Sequence, residues 1–177
     1  MKRLLSRLIG RAKPKDSWRC PCCGKVRHEF PAATFPCPWI WSEEKASEFD
    51  LTADTCVWRD QDYFIRACLD LPFTDRDDAF QFGVWMTLSR ENFHRYQATL
   101  RGADASALPP MFGWFSNSLP GYPETVNLKG MAHLRTGGLR PLIELLDSDH
   151  PLARQQRDGV TIGEMSAYLH EHLGDCR

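Results

Sequence analysis

The residue types best suited to chemistry gather near the start of the chain, in Trp18-Arg19-Cys20-Pro21-Cys22-Cys23-Gly24-Lys25-Val26-Arg27-His28-Glu29-Phe30-Pro31. Cys20 and Cys23 stand in a Cys-x-x-Cys-Gly turn. That spacing lets both sulfurs face one hollow, while Gly24 can take the positive φ that closes the turn. Two thiolates in such a turn are half of a zinc site, which takes four ligands when its role is structural. In the same region His28 and Cys37 extend the pair to Cys-x2-Cys-x4-His-x8-Cys, longer at its end than a compact knuckle. A structural Zn2+ is the first expectation.

Two other chemistries compete with it. A Cys-x-x-Cys pair can shuttle a disulfide when positive charge favours one thiolate, and Arg19, Lys25 and Arg27 supply that charge. Redox turns of this kind open a helix, however, and residues 25–31 hold no convincing helix start. The adjacent Cys22 would also exchange with either neighbour. Asp149-His150 is an attractive acid–base pair, which makes a metal-dependent enzyme with His150 near the site the other alternative. No nucleophile motif such as Gly-x-Ser-x-Gly accompanies it, and adjacency in sequence sets no catalytic geometry. A turn organised by Asp147, Ser148 or Asp149 and stiffened by Pro151 accounts for the same residues, so the balance is against an enzyme. His133, His170 and His172 read as surface or packing residues. Glu43-Glu44 and Asp75-x-Asp77-Asp78 read as solvated charge, because the calcium-loop spacing is absent.

Composition sets the background. The chain has 177 residues, 42% hydrophobic and 25% charged, which describes a globular body long enough to bury a core. Residues 1–27 carry nine Lys and Arg against Asp16 alone, a net +8, which leaves −9 for the rest of a chain whose total is −1. A basic head on an acidic body points to an anionic partner or a membrane surface for the head, or to a plain solvated tail. Leu4, Leu5, Leu8 and Ile9 would share one face of a short helix there. The acidic body weighs against broad nucleic-acid binding, which depends on neutralising phosphates. The aromatic residues, 11% of the chain, are more economically read as core than as a base-stacking platform. No apolar run approaches the roughly 20 residues of a membrane span, and the N-terminus lacks the continuous apolar stretch of a secretory signal. Seven cysteines, an odd number, then suit a reducing cytoplasm with free or metal-bound thiols.

The elements that must position the cysteines follow from pattern. Residues 1–16 read as the basic tail and residues 17–177 as one domain. Pro31, Pro36 and Pro38, set among Phe30, Phe35, Trp39 and Trp41, keep residues 30–41 out of helix and out of a central strand, so the segment wraps over the core. Ser42 is suited to cap a short helix. Residues 56–58 and 63–69 predict a hairpin about Asp60-Gln61-Asp62. Residues 80–88 predict a third strand with Phe80, Phe82, Val84, Met86 and Leu88 on one face. Ser89 then caps a helix over 90–100 that carries Phe93, Tyr96 and Leu100. Residues 111–115 predict a further strand, and 125–135 a long or bulged strand across Gly130. Gly137-Gly138 turns the chain into 141–146, and Thr161-x-x-Glu164 has the spacing of a capping box that opens a helix reaching about Leu173. Gly83 and Gly113, among bulky residues, mark bulges or close backbone approach. Strands in series, with one helix between and another at the end, predict an α+β fold: a mainly antiparallel β-sheet, a few flanking helices and an N-terminal Cys-x-x-Cys knuckle.

Several segments recur together in one known pattern: Cys20-x-x-Cys23-Gly24 with His28 and Pro31, Asp54-x-Cys56-Val57, Phe64-Ile65-Arg66, and Phe82-Gly83-Val84-Trp85-Met86-Thr87-Leu88-Ser89. Further on come Phe112-Gly113-Trp114-Phe115-Ser116, Leu119-Pro120-Gly121-Tyr122-Pro123-x-Thr125, Arg140-Pro141 and Asp149-His150-Pro151-Leu152-Ala153. In these the chain resembles the bacterial family catalogued as domain of unknown function 2199, from about Trp18 to Met165. The resemblance implies a soluble bacterial protein and brings no established activity, substrate or cofactor. Residues 1–16 look like an extension outside the family's core, and Cys22, Cys37 and Cys68 look particular to this sequence. On that basis Cys37 gives way to Cys56 and His150 as partners brought in by the fold, since both fall in family-like motifs. The expected metal ligands are therefore Cys20, Cys23, His28 and Cys56. The expected role is a small cytoplasmic binding or scaffold protein whose zinc knuckle ties the start of the chain to its sheet and final third.

Overall fold

In the computed structural model the described residues are 17–147 and 149–174. The basic head at 1–16, with the short amphipathic helix expected there, Ser148 and residues 175–177 lie outside them. The strands fall in two sheets. β1 (Trp18–Arg19) and β2 (Val26–Arg27) form a small antiparallel ribbon, with Trp18 opposite Arg27 and Arg19 opposite Val26. The remaining strands form one mixed but mainly antiparallel sheet: β3 (Ala33–Thr34), β4 (Phe49–Leu51), β5 (Thr55–Trp58), β6 (Asp62–Pro72), β7 (Ala79–Leu88), β8 (Met111–Trp114), β9 (Lys129–His133) and β10 (Leu142–Leu145). Helices α1 (Arg90–Leu100), α2 (Pro151–Asp158) and α3 (Ile162–Tyr168) flank it, and α3 runs on into a π turn, Leu169–Leu173. The fold is α+β, as the pattern of strands and caps predicts.

The β6–β7 hairpin is the spine. Its ladder runs from Tyr63 opposite Leu88 to Pro72 opposite Ala79. Alternation sends Tyr63, Ile65, Ala67, Leu69 and Leu71, with Phe80, Phe82, Val84, Met86 and Leu88, into the main core. The opposite face carries a smaller cluster of Cys56, Phe64 and Trp85. The proline-rich segment covers that second face. Prolines cannot donate to a ladder, so backbone ties are few, with Phe35 N–H on the Gly83 carbonyl and Trp39 N–H on the Ser116 carbonyl, both at 2.9 Å, and side chains add the rest. Trp85 Nε1 donates to the Phe35 carbonyl at 3.0 Å, and Asn117 donates to the Cys37 carbonyl at 2.9 Å while accepting the Trp85 N–H at 2.7 Å.

The path β7-β6-β10-β9-β8 curls back on itself. Beyond β8, Phe115 bridges Met86 and the Ser116 N–H donates to the Trp85 carbonyl at 2.9 Å. Close approach here requires glycine. A Cβ on Gly113 would lie 1.8 Å from the Thr87 carbonyl oxygen, and its cross-strand partner Gly130 has the Met86 methyl 3.1 Å from its own Cβ position. Gly113 is thus a place where another backbone approaches, one of the two alternatives its neighbours suggest.

Three elements differ from expectation. β9 begins only at Lys129, because residues 125–128 form a turn with Asn127 at φ 66°. After Ser42 the chain makes a 3-10 turn, Glu43–Glu48, with no side-chain cap. Residues 151–158 are helical rather than a simple turn, with His150 as the cap: its Nδ1 accepts the Leu152 N–H at 3.1 Å. Gln156 ties α2 to β10, accepting the Leu145 N–H at 2.8 Å and donating to the Ile143 carbonyl at 2.6 Å.

The chain then returns to the spine. Val160 donates to the Pro72 carbonyl at 2.9 Å and bridges Phe73 in parallel. Thr161 and Glu164 close the expected capping box, and the Asp75 carboxylate accepts the Ile162 N–H at 3.1 Å. α3 therefore starts where β6 ends, beside the place at which Phe30 enters the core. No described helix is long and apolar enough to cross a membrane.

Candidate metal centre

A two-residue ladder is far too short to stand alone in water, so the ribbon depends on its neighbours. Trp18 stacks on Phe30 with ring centroids 4.7 Å apart, and Phe30 meets the edges of Phe73 at 5.1 Å and Phe80 at 5.6 Å. The turn between β1 and β2 closes on itself. Gly24, at φ +70°, donates to the Cys20 carbonyl at 2.8 Å, the Cys20 N–H donates to the Lys25 carbonyl at 2.9 Å, and Arg19 holds the Gly24 carbonyl at 2.6 Å. The turn buries the Cys20 side chain and leaves Cys22 and Cys23 exposed.

From the other end of the chain, the capped α3 buries Tyr168 against Phe80 and Phe82 and carries the helical path two residues further to His170. His170 Nε2 lies 3.9 Å from the Cys20 sulfur. The ligand atoms of Cys20, Cys22 and His170 all lie within 4.8 Å of one another, a group that can hold a metal ion. Tetrahedral zinc, with Zn–S of about 2.3 Å and Zn–N of about 2.0 Å, separates a sulfur from a nitrogen by about 3.5 Å, so a small inward movement closes the set. Thiol and imidazole donors without a carboxylate suit a soft or borderline ion such as zinc.

The charges agree. Burial pushes the Cys20 thiol up, but the N–H groups of Cys23 and Cys22, the His170 ring and the Cys23 side chain outweigh it, and the pKa falls to about 6. Cys20 is therefore already a thiolate at neutral pH, the form a metal needs. Cys22 moves the other way, raised by desolvation and then by the Cys20 and Cys23 sulfurs. Negative charge gathers on Cys20, and a bound cation would allow its neighbours to ionise too.

The residues singled out from sequence lie as follows. Cys20 and Cys23 are neighbours in the turn, linked through a side-chain hydrogen bond at the Cys20 sulfur. His28 is exposed just past β2. Cys56 is fully buried with Phe64 and Trp85, and burial, followed by the charge of Cys37, pushes its thiol up to about 12. His150 caps α2, and its Nε2 is buried with no hydrogen-bond partner among the described residues. The group of three takes Cys20 from the expected set and adds Cys22 and His170, which local pattern assigns to other roles. Six of the seven cysteines are described, and none of these is in a disulfide.

The family model described as "Uncharacterized protein conserved in bacteria" matches residues 19–160. No curated protein and no solved structure gives a match. The matched span holds the cysteine turn, the sheet and α2, while His170 lies ten residues past its end. With most of its length covered in this way, the chain belongs to the DUF2199 family.

Proposed function

We propose that the protein is a small cytoplasmic binding or scaffold protein without catalysis, in which a structural zinc ion clips the N-terminal ribbon to the C-terminal helix. Residues 17–177 act as one domain behind a basic tail suited to an anionic partner. The ion is held by Cys20, Cys22 and His170, with Cys23, next in the same turn, closing the four-ligand set. The observation that carries this reading is the 3.9 Å approach of Cys20 and His170 across the whole length of the domain. A metal there closes a very long loop, and its binding energy becomes folding energy.

Elemental analysis of untagged protein, purified without chelator, tests it. About one zinc per chain is expected, lost in Cys20→Ser and in His170→Ala together with a lower Tm. His28→Ala and Cys56→Ala are the comparison variants, since they remove the other two donors of the expected ligand set. A thiol redox role is the second reading, favoured by the lowered pKa of Cys20 beside Cys22 and Cys23. Metal-free protein in which Cys20 and Cys23 form and release a disulfide under a glutathione buffer would decide for it and against the zinc clip.

A further inference from the structure

A cleft of about 280 Å³ opens between the end of α1 and the β9–β10 connection, built from residues other than those of the metal centre. Ligand pockets begin at about 300 Å³, so the occupant is a small molecule. Tyr96 and Arg135 both line it. Tyr96 is 3% exposed as a residue, and its hydroxyl, which makes no hydrogen bond among the described residues, is not sealed in the core. A phenol O–H with access to the cleft is a donor for a ligand.

Arg135 is the matching group. Its Nε donates to the Arg140 carbonyl at 2.5 Å and its Nη2 to the Cys68 sulfur at 3.8 Å, so the guanidinium plane is held in place. Among the described residues no carboxylate lies within ion-pair distance of it, whereas neighbouring Arg140 is paired with Asp54 at 2.8 Å. The Asp70 carboxylate acts on Arg135 only at longer range, and a fixed guanidinium with no direct ion pair suits a carboxylate or phosphate. Asp104, on the same wall, already accepts from the Ser106 N–H at 2.8 Å and hydroxyl at 2.7 Å, and its negative charge disfavours a dianion. The rim is apolar: Leu100 is 48% and Leu139 58% exposed. Nothing lies within 4 Å of a Cβ position at Gly102, Gly137 or Gly138, so backbone there is open to a ligand.

We propose that this cleft binds a small monocarboxylate with a short apolar body, its carboxylate on Arg135 and the Tyr96 hydroxyl and its body against Leu100 and Leu139. The site is independent of the zinc clip. Proton–nitrogen NMR titration of the full chain with 4-methylpentanoate, phenylacetate and inorganic phosphate tests it. Either carboxylate should produce saturable shifts at the amides of Gly102, Gly137 and Gly138, and phosphate none. Arg135→Gln should weaken binding by about tenfold or more, and Tyr96→Phe by about threefold to tenfold with Tm unchanged, since charge-assisted hydrogen bonds are lost without disturbing the core. Absence of saturable shifts with both carboxylates overturns the proposal. So do equal shifts with phosphate, or undiminished carboxylate affinity in Tyr96→Phe.

Discussion

The Cys20 sulfur and the His170 Nε2 stand 3.9 Å apart although 150 positions separate them in sequence. Cys20 belongs to a ribbon that makes only two paired positions per strand, and His170 to the last turn of a short helix. Neither element is stable alone. They meet because Trp18 and Phe30 carry the ribbon onto Phe80, and Phe80 also carries Tyr168. The aromatic contacts bring the two donors close, and the proposed ion fixes them.

If the ion is a clip, its loss loosens the ribbon before the sheet. In His170→Ala, which loses the ion, hydrogen exchange of the amides of residues 18–27 is expected to speed up by at least about tenfold, as for a segment that opens locally, while β6 and β7 keep their protection. Unchanged protection of the ribbon would contradict the clip.

The metal-free protein has a definite pH signature. The Cys20 pKa of about 6 lies below the ordinary thiol value of 9.0, so its contribution to stability is fully present above about 9 and disappears as the pH falls to about 6. Cys56, pushed up to about 12, acts only above about 9, so the window between 6 and 9 belongs to Cys20. Urea unfolding of metal-free protein across that window is expected to show stability rising with pH, and Cys20→Ser to flatten the rise. Thiolate absorbance at 240 nm should give a midpoint near 6 that the same variant removes.

The curl of the sheet predicts a contrast between two glycines. Gly113→Ala places a methyl 1.8 Å from the Thr87 carbonyl oxygen, which is backbone and cannot swing away. Gly130→Ala places its methyl 3.1 Å from the Glu144 carbonyl oxygen and from the flexible end of Met86. Overpacking should cost about 3 kcal/mol or more in the first and about 1 kcal/mol in the second. Denaturant unfolding measures both, and equal losses would mean that β8 does not return to β7 as described.

Asn117 carries the cover of the second face. Asn117→Ala strips the Trp85 N–H and the Cys37 carbonyl of their partner in a water-poor place. A loss of about 1–3 kcal/mol is expected from leaving such groups unsatisfied. Near-ultraviolet circular dichroism should lose signal from Trp85 at the same time, and a variant with wild-type stability would show the tie to be dispensable.

Much of the frame is legible locally. Period-two alternation marks β7, and Ser89 and Thr161 announce their helices because capping is a contact among near neighbours. α2 escapes the same reading because its cap is a histidine nitrogen and its buried stripe is only Leu152 and Ala153. At the site, Cys20 is visible from its turn. His170 is not, since only the contacts from Phe30 through Phe80 to Tyr168 bring it there, and no local pattern encodes that path. The clue available in sequence is slight: His170 lies on the continuation of a well-capped helix, one turn beyond the buried Met165 and Ser166.

The most direct measurement is zinc K-edge X-ray absorption on the protein as isolated, beside His170→Ala. A sulfur-dominated first shell at about 2.3 Å with imidazole scattering is expected, and the variant as isolated should lose most of the zinc edge, with no imidazole scattering from any zinc that remains. A protein without zinc, or a wild-type spectrum that His170→Ala leaves unchanged, would contradict the clip between Cys20 and His170.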